Sequence, residues 1–336
     1  MYNFLHLRNG QANLNRFTPS DREIVVMIRG LSRSYRSWLG LDQALSHDFD
    51  VICVDLPGVG LSKDETPLYR VQDMAFKLVE LIRALRLPRI YIVAPSLGAM
   101  VALEMTRLLS LEVVRGLVLM SPSHSGIGWR RLTRQTVDVF RKSLKADQPT
   151  LVKLTRELLV GTLADGRSLE QADPDRLRAW ETAMLADVAE LGPKGRYAQM
   201  TAALAYTSRL GMNQVRQFQI PLKFLIPAED RMIPVAHARA VYEYLKHPQS
   251  AVIELQNAGH DLIPTHAHQL RDIITQFVKE QSTYRVYPVQ LLPVKVSTRR
   301  QLQNRVYTSL GLFSLALLLF SWLFKGPKQP GSPKLK

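Results

Sequence analysis

Two periodicities of apolar residues alternate along the first part of the chain. Short apolar runs, typical of strands buried on both faces, cover residues 23–29, 49–55, 89–94 and 114–121. Apolar residues at helical spacing lie between them, at about 38–46, 70–87 and 97–109. Strands and helices in this regular order predict an α/β fold, in which a mostly parallel central sheet has helices on both faces.

The alternation stops in the middle of the chain and then resumes. Residues 123–217 have a helical pattern that is richer in charge, which predicts a helical lid inserted over one edge of the sheet. Two strands and two helices follow, at 221–227, 250–255, about 236–246 and about 265–279. We therefore expect a core made of residues 1–122 and 218–280, interrupted by the lid.

The end of the chain differs from the core in charge and hydropathy. Nine basic residues and no acidic ones follow Glu280, so much of the net charge of +15 lies there. A nucleic-acid-binding protein needs a basic face on a folded domain, and the composition therefore argues against that class. Residues 307–324 carry no charge and would span about 27 Å as a helix.

These features predict a single-pass transmembrane helix at 307–324, joined to the core by a linker at 281–306 and followed by a basic tail at 325–336. The alternative is a buried C-terminal helix. The N-terminus has no basic segment followed by an apolar run, as a signal peptide would. We therefore expect the folded domain to be cytoplasmic and anchored to a lipid bilayer by its C-terminus.

Composition excludes two further classes of protein, a largely disordered chain and a disulfide-stabilised one. The chain has 336 residues, of which 46% are hydrophobic, so most of it has enough apolar material to form a core. Cys53 is the only cysteine, which excludes a disulfide framework within the chain.

One serine stands at a predicted junction of strand and helix. Small residues, Ala94 and Gly98, lie two positions to either side of Ser96, as a sharp and strained turn requires. Pro95 keeps Ala94 extended. The first backbone N–H groups of the helix could stabilise an oxyanion beside the hydroxyl. The alternative is that Ser96 merely caps the helix.

Three motifs make the sequence similar to the α/β-hydrolase family over about residues 20–280. The sequence A-P-S-L-G at 94–98 resembles the nucleophile elbow G-x-S-x-G, and residues 55–62 resemble the loop D-x-P-G-x-G-x-S. Residues 29–31 stand where the family usually has His-Gly-x. The resemblance implies an α/β-hydrolase fold with Ser96 as nucleophile.

The same resemblance implies the rest of the catalytic machinery. The family order is Ser, then Asp or Glu, then His. Residues 228–234 resemble the acid turn G-x-x-D-x-x-x-P, which selects Asp230 and excludes its neighbour Glu229, and the loop at 257–261 selects His260 as the base. From the residues alone, Asp230 could be a turn residue and His260 a surface histidine.

Further site residues follow from the resemblance and from position in the chain. In such enzymes the backbone N–H groups of Leu31 and Leu97 form the oxyanion hole. Arg29 replaces the usual histidine, and its guanidinium could attract an anionic substrate. We predict Arg29, His124 and Trp129 as substrate-binding residues. No cofactor is needed, and no His and acid spacing supports a metal site.

A nucleophilic serine favours acyl transfer to water. We therefore predict hydrolysis of a carboxylic ester, with a small acyl or lipid-like substrate. A second hypothesis is a thioesterase or acyl-carrier methyl-ester hydrolase. Six basic residues in 130–145 favour it, because they would attract an acidic carrier protein. A third is a catalytically silent scaffold, supported by Arg29 and Ala94.

Overall fold

A mixed, mostly parallel sheet forms the centre of the protein. The computed structural model describes residues 2–109, 111–127, 132–143 and 146–283. The strands in these residues are β1 (Phe4–Arg8), β2 (Gln11–Leu14), β3 (Ile24–Ile28), β4 (Asp50–Val54), β5 (Ile90–Pro95), β6 (Val114–Met120), β7 (Leu222–Pro227) and β8 (Ser250–Leu255). The helices are α1 (Leu41–Ser46), α2 (Val71–Ala84), α3 (Leu97–Leu108), α4 (Arg134–Ser143), α5 (Gln148–Leu159), α6 (Leu169–Ala172), α7 (Pro174–Ala205), α8 (Leu210–Gln217), α9 (Val235–Leu245) and α10 (Ile263–Thr283).

The strand order confirms the predicted parallel arrangement. The described strands lie in the order β2-β1-β4-β3-β5-β6-β7-β8. Every neighbouring pair from β4 to β8 is parallel, whereas β1 pairs antiparallel with both β2 and β4. The predicted site residues that follow these strands therefore lie at one edge of the sheet, because the carboxyl ends of parallel strands meet on one side of a sheet.

The hairpin of β1 and β2 is an addition to the predicted fold. All four residues of β2 are exposed, so the strand has no apolar alternation that could reveal it. Asn9 and Gly10 make the connection, both with positive φ. Such a two-residue turn matches the twist of the paired strands.

Side chains of the central strands alternate between two core layers. Val26 and Ile28 of β3 pack on the side that holds α2 and α3. Val25 and Met27 point to the opposite side, where α1 and α10 cover the sheet. The sheet is thus buried on both faces, which explains why its strands are apolar throughout rather than alternating.

A helical insertion lies between β6 and β7. Helices α4 to α8 make it up in the described residues. The longest of them, α7, is broken at Gly192, which has φ of 61°, and Pro193 follows. A proline there removes a helical hydrogen bond, so the break divides α7 into two differently directed segments.

The C-terminal predictions fall mostly outside the described residues. Helix α10 continues to Thr283, so the linker predicted from residue 281 begins in a helix. The remaining linker, the predicted transmembrane helix at 307–324 and the basic tail lie beyond the described part. Between residues 2 and 283, no described helix is both long and apolar enough to cross a membrane.

Candidate active site

Ser96 occupies a strained corner between β5 and α3. Its φ of 52° and ψ of −120° are unusual for a residue with a side chain. The corner is tightly enclosed: a Cβ on Gly98 would lie 2.6 Å from the carbonyl oxygen of Ile28, and one on Gly30 would lie 3.3 Å from Cβ of Ser96. The amide of Ser96 donates to the carbonyl of Met120 at 2.8 Å. Close packing on both neighbouring strands therefore holds this conformation.

A continuous hydrogen-bonded chain joins three of the predicted residues. His260 Nε2 lies 3.1 Å from Ser96 Oγ, and His260 Nδ1 lies 2.8 Å from Asp230 Oδ2. Because a carboxylate can only accept, Nδ1 carries the proton and Nε2 is free to accept from the serine hydroxyl. The second oxygen, Asp230 Oδ1, accepts from the amides of Met232 and Ile233, each at 2.8 Å. The backbone of the turn that follows Asp230 therefore holds the Asp230 carboxylate in place.

The electrostatics of the histidine follow from this pairing. Burial alone would lower the pKa of His260, but the charge and hydrogen bond of Asp230 outweigh it, so the pKa is raised above its ordinary value. Glu229, the neighbouring acid that the motif excludes, is exposed. Its position leaves Asp230 as the carboxylate on the imidazole.

The two predicted oxyanion-hole amides belong to the segments that enclose Ser96. Leu97 is the first residue of α3, so its amide has no acceptor within the helix. Leu31 follows Gly30, and the amide of Arg33 donates to the Gly30 carbonyl at 3.3 Å, which closes the turn after β3. A helix N-terminus and a tight turn are both suited to anion stabilisation.

The loop after β4, which resembles D-x-P-G-x-G-x-S, packs beside this turn. Asp55 accepts from the amides of Tyr35 at 2.7 Å and Leu61 at 2.9 Å. Gly60 has φ of 58°, and a Cβ there would lie 2.2 Å from Asp55 Oδ2, so only glycine fits. Burial raises the pKa of Asp55 to about 7. Asp55 and Gly60 thus hold the backbone of the predicted D-x-P-G-x-G-x-S loop in place, and they do not reach the reacting groups.

A cavity of about 220 Å³ lies over Ser96 and His260. Its wall is mainly apolar and comes largely from the insertion, with Val139, Phe140, Leu151, Leu158, Met184 and Met200. The site therefore combines a polar reacting centre with an apolar chamber, as small-molecule sites usually do.

A second polar cluster borders the same cavity. Arg29 Nη2 donates to both oxygens of Asp261, at 3.1 and 3.2 Å, and Trp180 Nε1 donates to Asp261 Oδ2 at 3.0 Å. The guanidinium of Arg29 lies over the Trp38 ring, 4.8 Å from its centroid. Burial opposes ionisation of Asp261, but the charges of Arg29 and Arg33 prevail and hold its pKa below the ordinary range.

The predicted substrate-binding residues have different positions. Arg29 lines the cavity, but its charge is already paired with Asp261. His124 is fully buried, its Nε2 lies 2.8 Å from the carbonyl oxygen of Ser208, and it is not among the described residues of the cavity wall. A substrate contact for His124 is therefore not supported by its position. Trp129 lies outside the described residues.

Sequence reasoning missed Asp261, Trp180 and Arg33. Arg29 and Asp261 are 232 positions apart, so no local spacing indicates their contact. The one available signal was the acid directly after His260. Among the described residues, no group of three or more His, Cys, Asp or Glu side chains is placed to hold a metal ion.

Residues 23–267 match the family described as alpha/beta hydrolase fold. The chain therefore belongs to the α/β-hydrolase family. Together with the strand order, this match confirms the predicted α/β-hydrolase fold with a mostly parallel sheet.

Relatives and solved structures agree with that assignment. A pimeloyl-[acyl-carrier protein] methyl ester esterase of Aeromonas salmonicida is 24% identical over 259 residues, covering 76% of this chain and 94% of the relative. A protein of Pseudomonas savastanoi pv. phaseolicola that is named as a carbamate hydrolase, RutD, is 32% identical over 109 residues, covering 32% of this chain and 42% of the relative. A thermophilic esterase from Thermogutta terrifontis has a TM-score of 0.63 at 18% identity, covering 83% of this chain and 93% of that one, which shows the shared fold.

Proposed function

We propose that this hydrolase cleaves carboxylic esters through Ser96, His260 and Asp230. The observation that carries the proposal is the unbroken hydrogen-bonded chain from Ser96 Oγ through the imidazole to Asp230, placed at the floor of a mainly apolar cavity. Such a chain joins a nucleophile to a base and the base to a group that fixes its tautomer.

The reaction follows from the roles of these atoms. Ser96 Oγ attacks the ester carbonyl while His260 Nε2 takes the hydroxyl proton, and the amides of Leu31 and Leu97 stabilise the resulting oxyanion. Collapse of this intermediate breaks the C–O bond, and His260 returns the proton to the leaving alcohol. Water then attacks the acyl-enzyme with the same histidine as base, which releases the acid and restores Ser96. Asp230 keeps the imidazole oriented throughout.

The helical insertion acts as a lid in this proposal. Residues from α4, α5 and α7 form much of the cavity wall, so a substrate in the chamber would touch the insertion as well as the core. The apolar character of that wall favours an acyl or lipid-like group beside the ester.

The direct test is hydrolysis of p-nitrophenyl esters of increasing acyl length. We expect saturable hydrolysis by the wild-type protein, no hydrolysis above background by Ser96→Ala, and unchanged rates for Ser282→Ala, which alters an exposed serine near the end of α10. Absence of hydrolysis and of any reaction with active-site probes in the folded wild-type protein would favour the silent scaffold.

A second candidate function is hydrolysis of an ester or thioester on an acidic carrier protein. The similarity to a pimeloyl-[acyl-carrier protein] methyl ester esterase favours it, and so do Arg134, Arg141 and Lys142, which are exposed along α4. Replacement of these three residues by glutamine should raise KM for a carrier-bound methyl ester and leave KM for the free ester unchanged. Equal effects on both substrates would argue against carrier recognition.

Membrane attachment is a separate part of the proposal. The uncharged run at 307–324 is long enough to cross a bilayer, and anchoring would bring the domain close to membrane-borne esters. Full-length protein should stay in the membrane fraction after alkaline carbonate extraction, whereas a variant with Leu317→Arg and Leu318→Arg should be released. Release of both proteins, or hydrolysis confined to short soluble esters with no gain on vesicles, would contradict this part.

A further inference from the structure

Two arginines of the cavity wall have no carboxylate partner. Arg33 is 5% exposed, and Arg196 is half-buried on the second segment of α7. Both line the cavity over Ser96. Among the described residues, no acidic oxygen lies within ion-pair distance of either guanidinium, and Nε of each has no hydrogen-bond acceptor. Arg33 Nη1 donates a long hydrogen bond, 3.3 Å, to the carbonyl of Ser32.

Nearby carboxylates are already engaged elsewhere. Asp261 receives Arg29 and Trp180. Asp187 accepts from Ser34 and from Arg36, and it lies within 4 Å of neither cavity arginine in the described structure. Neither cavity arginine therefore has a carboxylate within ion-pair distance in the described structure, although the charges of Asp261 and Asp187 act on Arg33 from further away.

Such an arrangement costs stability unless a ligand uses it. Removing a guanidinium from water without a partner is unfavourable, and burial lowers the pKa of Arg33. The side chain is nevertheless held in place, because its guanidinium lies 5.2 Å from the centroid of the buried Trp180 ring. A fixed orientation of unpaired donors toward a substrate chamber is a common feature of anion recognition.

We propose that Arg33 and Arg196 bind a carboxylate group of the substrate, so that the preferred substrates are esters that also carry a free carboxylate, such as monoesters of dicarboxylic acids. This inference rests on the proposed function, since it places the anion in the same cavity as the ester. A carboxylate fits better than a phosphate, because a single negative charge is less costly to remove from water in a mainly apolar chamber.

Matched substrates test this preference. Monomethyl adipate carries the carboxylate, and the corresponding methyl ester amide is a neutral molecule of the same length. We expect kcat/KM of the wild-type protein to be about 10- to 100-fold higher for the acid, as charge-assisted hydrogen bonds of about 1.5–3 kcal/mol imply. Equal kcat/KM for the two esters would overturn the proposal.

Substitution of the two arginines tests whether the preference for the acid ester arises in the cavity. Arg33→Met should remove most of the difference by raising KM for the acid ester more than KM for the neutral ester amide. Arg196→Met, at a half-buried position where folding is less at risk, should reduce the preference about 3- to 10-fold. Arg239→Met is the matched control, because this exposed arginine pairs with Glu254 away from the cavity. Equal losses with both esters would show a merely structural role and overturn the assignment.

A binding measurement separates this inference from the catalytic proposal. With Ser96→Ala protein, monomethyl adipate should raise the melting temperature, the neutral amide should raise it much less, and Arg33→Met in the same background should abolish the difference. Such binding would sustain the carboxylate site even if the wild-type protein hydrolysed no ester. Stronger stabilisation by methyl phosphate than by the adipate ester would overturn the choice of a carboxylate.

Discussion

His260 and Asp261 are neighbours in one loop, yet their side chains join two different polar clusters. The first cluster is the chain Ser96–His260–Asp230, in which both imidazole nitrogens and both Asp230 oxygens have partners. The second is the cluster of Arg29, Arg33 and Asp261. Its single carboxylate faces two guanidinium groups, and within the described residues three of their nitrogens lack an acceptor: Nε and Nη1 of Arg29 and Nε of Arg33.

This difference separates two kinds of buried charge. A fully partnered network fixes one geometry, which suits residues that must meet a reacting carbonyl in a defined position. An incompletely partnered network keeps binding capacity for a further group, at some cost to stability. The comparison therefore predicts that substitutions in the first cluster mainly reduce rate, whereas substitutions in the second mainly alter stability and substrate choice.

The largest expected effect is loss of the base. His260→Ala should lower kcat for a neutral p-nitrophenyl ester about 10⁴-fold or more, because Ser96 then has no group to take its proton. Steady-state kinetics would measure this, with His268→Ala as a control at an exposed position of α10. A loss of less than tenfold would remove His260 from the mechanism.

Loss of the orienting acid should be the next largest effect. Asp230→Asn should lower kcat about 10²- to 10⁴-fold, since the imidazole loses the carboxylate that fixes its tautomer. The exposed Asp272→Asn serves as the control.

The same variant should also change the pH profile. The paired carboxylate raises the pKa of His260 above 6.5, and only the neutral imidazole can act as base, so wild-type kcat/KM should rise with pH through a midpoint above that value. Without the carboxylate, this midpoint should move to lower pH. A midpoint that is the same in Asp230→Asn and wild type would contradict the assigned pairing.

Substitutions that break the second cluster should lower the free energy of unfolding more than they lower the rate of catalysis. Asp261→Asn leaves the buried Arg29 without its countercharge and should lower the free energy of unfolding by about 3 kcal/mol. Urea unfolding would measure this, and Asp165→Asn, which breaks an exposed pair with Arg167, should have no measurable effect. If both variants unfolded at the same urea concentration, the buried pair would have no special role.

The smallest expected effect is a gain in stability. Arg33→Met removes a buried guanidinium that lacks a carboxylate partner and should raise the free energy of unfolding by about 1 kcal/mol in the absence of ligand. The exposed Arg239→Met should give no gain. A destabilised Arg33→Met variant would show that the arginine contributes to folding through contacts such as its stacking on Trp180.

The sequence predicts much of this molecule because its strongest signals are local. Apolar runs and helical spacing locate β3 to β8 and the main helices to within a few residues. Ser96, Asp230 and His260 each follow a predicted strand, and a parallel sheet brings such positions to one edge. Their convergence therefore follows from topology once the fold is known.

Other features have no local signal. The exposed strand β2 lacks an apolar pattern, and the contact of Arg29 with Asp261 depends on how two distant loops pack. Arg33 was not distinguishable from a surface arginine, because burial by α7 and Trp180 is decided only in three dimensions. Long-range pairing of this kind is invisible to periodicity and motif spacing alike.

All of the proposed chemistry requires that Ser96 is an activated nucleophile. A fluorophosphonate probe, followed by peptide mass mapping of the full-length protein, tests this most directly. We expect one modified residue, Ser96, with labelling that is lost in Ser96→Ala and strongly slowed in His260→Ala. Folded wild-type protein that remains unlabelled, or that is labelled at another serine, would contradict it.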